Sequence, residues 1–288
     1  MSRIAYVDGR YVPQRTASVS AQDRGYQLAD GVYEAIHRYR DRVRDPELHL
    51  GRLERSLREL RIPQPMSRTA LLAVMDEVAR RNRVTDGLYY IQVTRGVAPR
   101  GHAFPKVVRP VLVVMIRRVP PFPATPDEWA VKVVTHPDQR WARCDIKSVA
   151  LLPNVLARQA AAEQGAFEAV LVDGAGMVTE GAASSFWIVD EAGAIRLPHL
   201  GEHILPGCTR AALLAELEHE GVKVDVRAFS VDEARRAREA FLTSVNSFVR
   251  PVVAIDGAPV ADGKVGPVTR RLFEIFARHV KGELRNAA

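Results

Sequence analysis

Residues 118–128, RVPPFPATPDE, constrain the fold more than any other stretch because they contain four prolines. Proline lacks a backbone N–H and fixes φ, so this composition excludes the interior of a helix and a central strand. It predicts an interdomain linker at 119–128. The linker would separate a small α/β domain, residues 1–118, from a larger domain, residues 129–288.

Hydrophobic patterning on both sides of this linker predicts a mixture of strands and helices. IAYVDGRYV alternates around Asp8-Gly9, which favours a β-hairpin with a tight primed turn. PELHLGRLERSLREL and SRTALLAVMDEVARRN have the apolar spacing of amphipathic helices, the second with Ser67 as N-cap. Further β-rich segments are GVYEAIHRYR, GLYYIQVTRG, RPVLVVMIRR, WAVKVVT, EAVLVD, MVTEG, SSFWIVD, VKVDVRAF, EAFLTSV and PVVAIDGAPV. Further helical segments are LLPNVLARQAAAEQG, TRAALLAELEHEG and VTRRLFEIFARHV. Strands and helices alternate irregularly, so we expect an α+β fold in both halves and not a doubly wound parallel sheet.

Composition excludes several classes of protein. The net charge is +7, but the arginines are interleaved with glutamates, as in RLERSLRELR, which indicates solvated helix faces and not a nucleic-acid surface. The chain has two cysteines, which suggests no disulfide framework. No run approaches the roughly 18 apolar residues of a membrane span, and the N-terminus shows no apolar signal core. We expect a cytoplasmic protein that binds neither nucleic acid nor a membrane.

Lys147 is an unusual lysine in a chain that has six lysines among 41 basic residues. It lies in RCDIKSVALLPNVLA, between a strand-like segment and an apolar helix. One interpretation is a structural lysine that pairs with Asp145 or extends its ammonium to solvent. The other is a desolvated amine that forms a Schiff base with a carbonyl cofactor, above all pyridoxal phosphate.

Pyridoxal phosphate also needs a partner for its pyridine nitrogen, donors for its phosphate and a substrate pocket. Glu180 follows a strand and precedes small residues in MVTEGAASSFWIV. Cys208 and Thr209 begin a helix in LPGCTRAALL, where free backbone N–H groups bind anions. FLTSVNS adds the hydroxyls of Thr243 and Ser244. Each feature alone also has an ordinary explanation, such as helix capping or a solvated glutamate.

Taken together, several motifs resemble the D-amino acid aminotransferases. These belong to the fold-type IV class of pyridoxal phosphate enzymes, with branched-chain aminotransferases and aminodeoxychorismate lyases. The resemblance runs in order from about Ile4 to Phe276 and implies a mixed-sheet N-terminal domain and a larger β-rich C-terminal domain that carries the lysine. The motifs are DRGYQLADGVYE, QVTRGVAPRGHAFP, RCDIKS, VTEGAASSFW, LPGCTR and DGKVGPVTR.

The resemblance implies a role for each matching cofactor residue. Lys147 would hold the cofactor as a Schiff base and move the proton between the substrate α-carbon and the cofactor C4′. Glu180 would pair with the pyridine nitrogen. Arg52, together with Cys208 and Thr209, would bind the phosphate.

The resemblance also implies a substrate carboxylate trap formed by Arg100, His102 and Tyr33. An arginine fork grips a carboxylate bidentately, and alternate residues of an extended loop point the same way. In the family the arginine and the histidine reach in from the neighbouring subunit, so a homodimer is implied.

One departure from the family pattern falls in the turn after FLTS. Relatives often have Thr-Ser-Thr where this chain has Thr243, Ser244 and Val245. Ser244 and the backbone N–H of Val245 would still contact the phosphate, but one hydroxyl is lost. We therefore expect weaker cofactor binding than in relatives.

The function implied is ping-pong transamination of D-amino acids, from D-alanine and 2-oxoglutarate to pyruvate and D-glutamate. Alternatives within the fold class are a transaminase of (R)-amines or branched-chain amino acids and an aminodeoxychorismate lyase. The first two usually lack the Arg-x-His trap, so Arg100 and His102 argue against them. HLGEH, residues 199–203, matches a zinc-peptidase pattern that requires a helix, but Pro198 and Gly201 oppose one, so we expect no metal.

Overall fold

In the computed structural model the residues described are 3–282, and the chain divides into two compact units. The first contains the residues up to Pro121 together with Ile146–Ala150. The second contains Phe122–Asp145 and the residues from Leu151 onward. No helix in the described range is both long and apolar enough to cross a membrane.

The first unit is an antiparallel sheet with two long helices. Its strands are β1 (Ile4–Val7), β2 (Arg10–Pro13), β3 (Gly31–Tyr39), β4 (Arg42–Val43), β5 (Gly87–Thr94) and β6 (Val111–Arg118). Its helices are α1 (Arg24–Leu28), α2 (Pro46–Glu59) and α3 (Arg68–Asn82). The sheet order is β2-β1-β6-β5-β3-β4, and every pair is antiparallel. The apolar faces of α2 and α3 pack with the sheet into one hydrophobic core.

Local sequence determines several boundaries in this unit. Asp8 and Gly9 both have positive φ, 42° and 91°, as a type I′ hairpin requires, so the predicted hairpin is confirmed. The Ser67 side chain accepts a hydrogen bond from the Ala70 N–H at 3.3 Å, which confirms the predicted N-cap of α3.

The second unit is built on a mixed sheet. Its strands are β7 (Val131–Pro137), β8 (Glu168–Val172), β9 (Val178–Gly181), β10 (Ser185–Val189), β11 (Ile195–Leu197), β12 (Val224–Val226), β13 (Glu239–Ser244), β14 (Phe248–Ile255) and β15 (Ala258–Pro259). Its helices are α4 (Leu152–Glu163), α5 (Cys208–His219), α6 (Val231–Arg236) and α7 (Pro267–Lys281). The sheet order is β12-β11-β10-β13-β14-β7-β8-β9, with β15 paired to β14. Parallel pairs (β7 with β8, β7 with β14, β11 with β12) lie among antiparallel ones, so the predicted α+β class is confirmed.

The proline-rich segment has no helix or strand at 119–125 and forms only a short 3₁₀ turn at Pro126–Trp129. Its aromatic residues are anchored within the second unit. The Phe122 ring lies 4.9 Å from Phe248 and 5.0 Å from Phe273, between ring centroids. The segment is therefore ordered by aromatic packing.

The segment Ile146–Ala150 belongs to the first unit by its contacts, although the sequence assigned Lys147 to the second half. The Tyr33 N–H donates to the Lys147 carbonyl at 3.0 Å, and the Val149 N–H donates to the Gly31 carbonyl at 3.0 Å. The short β4 pairs only with the far end of β3, so the beginning of β3 is open to this pairing. Such a long-range edge contact leaves no periodic signal in the sequence.

Candidate active site

Lys147 is held by its backbone and lies over an aromatic ring. Its N–H donates to the Ser56 hydroxyl at 3.2 Å, and its Nζ lies 4.2 Å from the centroid of the Tyr33 ring. Tyr33 in turn stacks on Tyr90 at 5.8 Å. Burial, with a contribution from Tyr33, raises the pKa of Tyr90 to about 12, so the Tyr90 phenol is neutral at pH 7. Lys147 is half-buried, and within the described part of the first unit no carboxylate forms an ion pair with its Nζ. The amine is therefore not held by a carboxylate of that unit.

Glu34, on β3, is fully buried and is gripped by two residues of α2. Arg52 donates to its two oxygens from Nε at 2.9 Å and from Nη2 at 2.7 Å. His49 Nδ1 lies 3.1 Å from Oε1. Burial favours the protonated acid, but the Arg52 charge and the His49 hydrogen bond outweigh it and lower the pKa of Glu34 below its ordinary range. Arg52 is thus fixed by a buried carboxylate, which the sequence reasoning did not anticipate.

The predicted trap residues occupy two different settings in the first unit. Tyr33 is half-buried on β3, whereas Arg100 and His102 are exposed in the long loop between β5 and β6. Within the described residues, no hydrogen bond joins either loop side chain to Tyr33. The structure therefore brings Tyr33 and Lys147 together, and it leaves the Arg100 and His102 side chains exposed in the loop.

Glu180, at the end of β9, is buried in the second unit and forms an ion pair with Arg140. Arg140 donates to its Oε1, and the Leu205 N–H donates to the same oxygen at 3.2 Å. Arg140 is held in turn by Asp138, from Nε at 2.9 Å and from Nη2 at 2.7 Å. Asp138 also accepts a hydrogen bond from the Thr179 hydroxyl at 2.8 Å. The Glu180 carboxylate is therefore oriented by a network in which each member has a partner.

Electrostatics keep Arg140 and Asp138 charged. Burial by itself would lower the pKa of Arg140, but the hydrogen bond to Asp138 and the charge of Glu180 raise it above its ordinary value. Burial would raise the pKa of Asp138, but Arg140 lowers it. Sequence reasoning missed Arg140. Its signal was an arginine two residues after an aspartate in HPDQR, which is too common to single out.

The N-terminus of α5 presents unsatisfied backbone donors. Gly207 is the N-cap and makes no side-chain capping bond, and Cys208 and Thr209 are the first helical residues, both buried. The first N–H groups of a helix lack intrahelical acceptors and carry the positive end of the helix dipole. Arg210 follows, buried, with Nη2 donating to the Pro198 carbonyl at 2.8 Å. Burial lowers the pKa of Arg210 to about 10, so it still carries a positive charge at pH 7.

The turn after β13 contains the remaining predicted contacts. Ser244 accepts a hydrogen bond from the Ser247 N–H at 3.1 Å, and Val245 is a half-buried residue of the turn. The Thr243 hydroxyl accepts the indole N–H of Trp187 at 2.8 Å. Thr243 is thus used inside the fold, whereas Ser244 and Val245 are half-buried in the turn.

The HLGEH pattern is not helical. The Ile204 N–H donates to the Gly201 carbonyl at 3.2 Å, which closes a turn. The two histidines, His199 and His203, are exposed on this turn. The helical spacing that the zinc-peptidase pattern requires is therefore missing from residues 199–203.

Comparison with known proteins decides the family. The sequence profile described as amino-transferase class IV matches residues 31–255. The chain belongs to the class IV aminotransferases. It is 38% identical over 277 residues to a D-alanine aminotransferase of Staphylococcus haemolyticus, across 96% of this chain and 97% of that protein. It is 36% identical over 281 residues to a D-alanine aminotransferase of Listeria monocytogenes, across 95% of each.

Solved structures agree on the fold of this class IV aminotransferase. A branched-chain amino acid aminotransferase of Escherichia coli matches with a TM-score of 0.89 at 22% identity, over 100% of this chain and 97% of that one. A hypothetical aminotransferase of Mycobacterium tuberculosis, solved with pyridoxal phosphate bound, matches with a TM-score of 0.82 at 23% identity, over 97% of this chain and 99% of that one. Enzymes of this class depend on pyridoxal 5′-phosphate.

The residues of this class IV aminotransferase fit that cofactor chemically. A phosphate requires N–H donors and cations, and an uncapped helix N-terminus supplies donors at Cys208 and Thr209. A protonated pyridine nitrogen requires a fixed carboxylate, which Glu180 supplies in a buried, oriented form. The cofactor aldehyde requires a primary amine that is not paired with a carboxylate. Within the described part of the first unit, no carboxylate forms an ion pair with the Lys147 amine.

Proposed function

We propose that this class IV aminotransferase transfers the amino group of D-amino acids, D-alanine above all, to 2-oxoglutarate and yields pyruvate and D-glutamate. The observation that carries the proposal is the identity of 36–38% to D-alanine aminotransferases along nearly the whole chain. The motif Arg100-Gly101-His102, with both side chains exposed, supplies a guanidinium and an imidazole as hydrogen-bond donors for a substrate carboxylate.

In the proposed site, Lys147 would hold the cofactor through Nζ and would serve as the base and acid that moves a proton at the substrate α-carbon. When bound, pyridoxal phosphate withdraws electrons from that carbon and makes the proton removable. Glu180 would accept the N–H of the pyridine ring, and Arg140 keeps the carboxylate of Glu180 in place. Tyr33 provides the aromatic face over which the Lys147 amine lies.

The phosphate is proposed to bind the N–H groups of Cys208 and Thr209, the Thr209 hydroxyl and the turn at Ser244 and Val245. Arg52 is proposed to add a charge. Its hydrogen bonds to Glu34 fix the orientation of its guanidinium, and the Glu34 carboxylate offsets part of the positive charge that Arg52 offers the phosphate.

The substrate carboxylate is proposed to bind Arg100, His102 and Tyr33. Following the family, Arg100 and His102 serve the neighbouring subunit, and we propose a homodimer. Light scattering on the purified enzyme tests this directly, since a mass near twice 31.9 kDa is expected. The two cysteines are unpaired and buried, which supports a cytoplasmic enzyme.

The test is a coupled assay of pyruvate formation from D-alanine and 2-oxoglutarate, with L-alanine in parallel. We expect turnover with the D-enantiomer alone. Lys147→Ala should lower the rate by roughly 10²–10⁴-fold, because it removes the proton-transfer group. Lys132→Ala is the matched control, since Lys132 is exposed on β7. Turnover of L-leucine or an (R)-amine without turnover of D-alanine would retain the fold and refute the substrate.

A further inference from the structure

The loop that carries Arg100 and His102 has little regular structure of its own. It joins β5 to β6 and contains only a single bridge, at Val97. Both side chains are exposed, and a loop without pairing is normally among the more mobile parts of a protein. A carboxylate trap nevertheless needs its two donor side chains at a fixed separation, because small misplacements cost large factors in rate.

A buried arginine from a different part of the chain grips this loop. Arg24, on α1, is 3% exposed, and its guanidinium contacts Gly101, which lies 77 residues later in the sequence. Its Nη1 donates to the Gly101 carbonyl at 2.5 Å, and its Nη2 approaches the His102 carbonyl at 3.4 Å. The two carbonyls belong to the Arg100-Gly101-His102 tripeptide, so the contact is made at the trap itself.

Arg24 is also held by an ion pair with Asp30, a half-buried carboxylate. Its Nε donates to Asp30 Oδ2 at 2.7 Å. Arg95, 2% exposed, grips the same carboxylate from Nε at 2.7 Å and from Nη2 at 2.9 Å. The two arginines are therefore joined through Asp30, and burial of Asp30 is outweighed by these partners, which lower its pKa.

The same network also contacts the loop at Phe104. The Arg95 guanidinium carbon lies 3.6 Å from the centroid of the Phe104 ring, and the Arg61 guanidinium lies 4.9 Å from it. Arg95 also donates to the carbonyls of Leu60 and Arg61, at 2.8 and 3.1 Å. The loop is thus attached at residues 101, 102 and 104 to one charged framework.

We propose that Arg24 is a positioning residue for substrate recognition, which holds Arg100 and His102 in the conformation that receives the substrate carboxylate. Arg24 itself does not touch substrate, because its donors are directed at Asp30 and at the loop backbone. This inference rests on the proposed function, because that function supplies the substrate carboxylate that Arg100 and His102 would bind.

Arg24→Met tests the inference in the cofactor-loaded enzyme. In this variant Asp30 still forms its ion pair with Arg95, so no carboxylate is left unpaired and we expect the variant to fold. We expect kcat/KM for D-alanine to fall by about 10- to 100-fold, chiefly through KM. The inhibition constant of D-lactate, a carboxylate that cannot transfer an amine, should rise in parallel. The cofactor dissociation constant, from titration of the visible band, should change less than about twofold.

Two further variants separate positioning from a general loss of a buried charge. Arg24→Lys keeps a cation beside Asp30 but lacks the planar fork that spans Asp30 and both carbonyls, so it should bind carboxylates as poorly as Arg24→Met. Arg38→Met is the matched control. Arg38 is also buried in the first unit, and it pairs with Asp76 and Asp41 away from the loop. We expect its KM and inhibition constant to match those of the wild-type enzyme.

Hydrogen exchange gives a readout independent of activity. Peptides covering residues 97–104 should exchange faster in Arg24→Met than in the wild-type enzyme or in Arg38→Met. Unchanged exchange there, or equal losses in kcat and cofactor affinity alongside KM, would overturn the inference. Failure of the proposed function shows separately, as a wild-type enzyme that binds the cofactor and does not turn over D-alanine. The exchange result still decides whether Arg24 holds the loop.

Discussion

The buried pair of Glu34 and Arg52 predicts a stability loss whose size depends on pH. Glu34 is fully buried and takes two hydrogen bonds from Arg52. Because Arg52 lowers the pKa of Glu34, the pair contributes its full stabilisation above the ordinary glutamate pKa of about 4.3, and the contribution is lost as pH falls through the lowered value.

Arg52→Met should convert this pair into a buried acid without its cation. Burial then favours the protonated form, so the acid takes up a proton on folding. Each pH unit above about 4.3 costs at most about 1.4 kcal/mol, which sets an upper bound on the free-energy penalty of about 3.7 kcal/mol at pH 7 and about 1 kcal/mol at pH 5. His49, which remains 3.1 Å from the acid, reduces the penalty below this bound. The bound at pH 7 lies within the roughly 3–5 kcal/mol found when one partner of a buried pair is removed.

Urea unfolding of the cofactor-free protein, followed by circular dichroism at both pH values, measures this penalty without a contribution from cofactor binding. The double variant Glu34→Gln with Arg52→Met removes the acid as well, so it should recover most of the loss at pH 7 and show no extra dependence on pH. Arg68→Met removes a partly exposed ion pair with Glu54 and Glu47 and should leave both midpoints unchanged. A single variant as stable as wild type, or a double variant as unstable as the single, would refute the reasoning.

Variants at three site residues and one labelling experiment give further tests. Glu180→Gln removes the carboxylate proposed for the pyridine nitrogen and should slow the half-reaction with D-alanine by about 10²–10⁴-fold in stopped-flow spectra, with the cofactor still bound. Arg140→Met leaves Glu180 without its orienting cation and should lower kcat by about tenfold, and Arg140→Lys should restore part of it. Val245→Thr restores a hydroxyl near the proposed phosphate and should tighten cofactor binding about tenfold by equilibrium titration, and no gain would refute the predicted weakness. Burial raises the pKa of Cys144 to about 11, so at pH 8 about 0.1% is thiolate and a chromogenic disulfide should label it only after unfolding; rapid labelling of the folded enzyme would contradict the burial.

Local sequence signals predicted the elements whose cause is local. The Asp8-Gly9 hairpin and the amphipathic α2 follow from turn chemistry and from periodicity within one segment. The five-residue α1 was missed because it is too short to show a period. Its N-cap is Asp23, which accepts the Gly25 N–H at 2.8 Å, and it ends where Ala29 adopts a left-handed conformation.

Interactions between distant residues could not be predicted. Arg140 meets Glu180 across 40 residues, and Arg24 meets Gly101 across 77. Neither pair has a characteristic spacing, because the topology of the fold and not the local sequence brings them together. Lys147 and Glu180 were candidates from their sequence settings, and the resemblance to a family gave them roles, but Arg140, which orients Glu180, emerged only from the structure.

The central claim is that Lys147 carries pyridoxal phosphate in an enzyme that acts on D-amino acids. An absorbance spectrum of the purified protein, recorded before and after addition of D-alanine and then of L-alanine, tests it most directly. We predict a visible band from the bound cofactor that D-alanine bleaches and L-alanine leaves unchanged, and that is missing from Lys147→Ala. A band that only L-leucine or an (R)-amine bleaches would contradict the substrate. A protein without a band, even after pyridoxal phosphate is added, would contradict the role of Lys147.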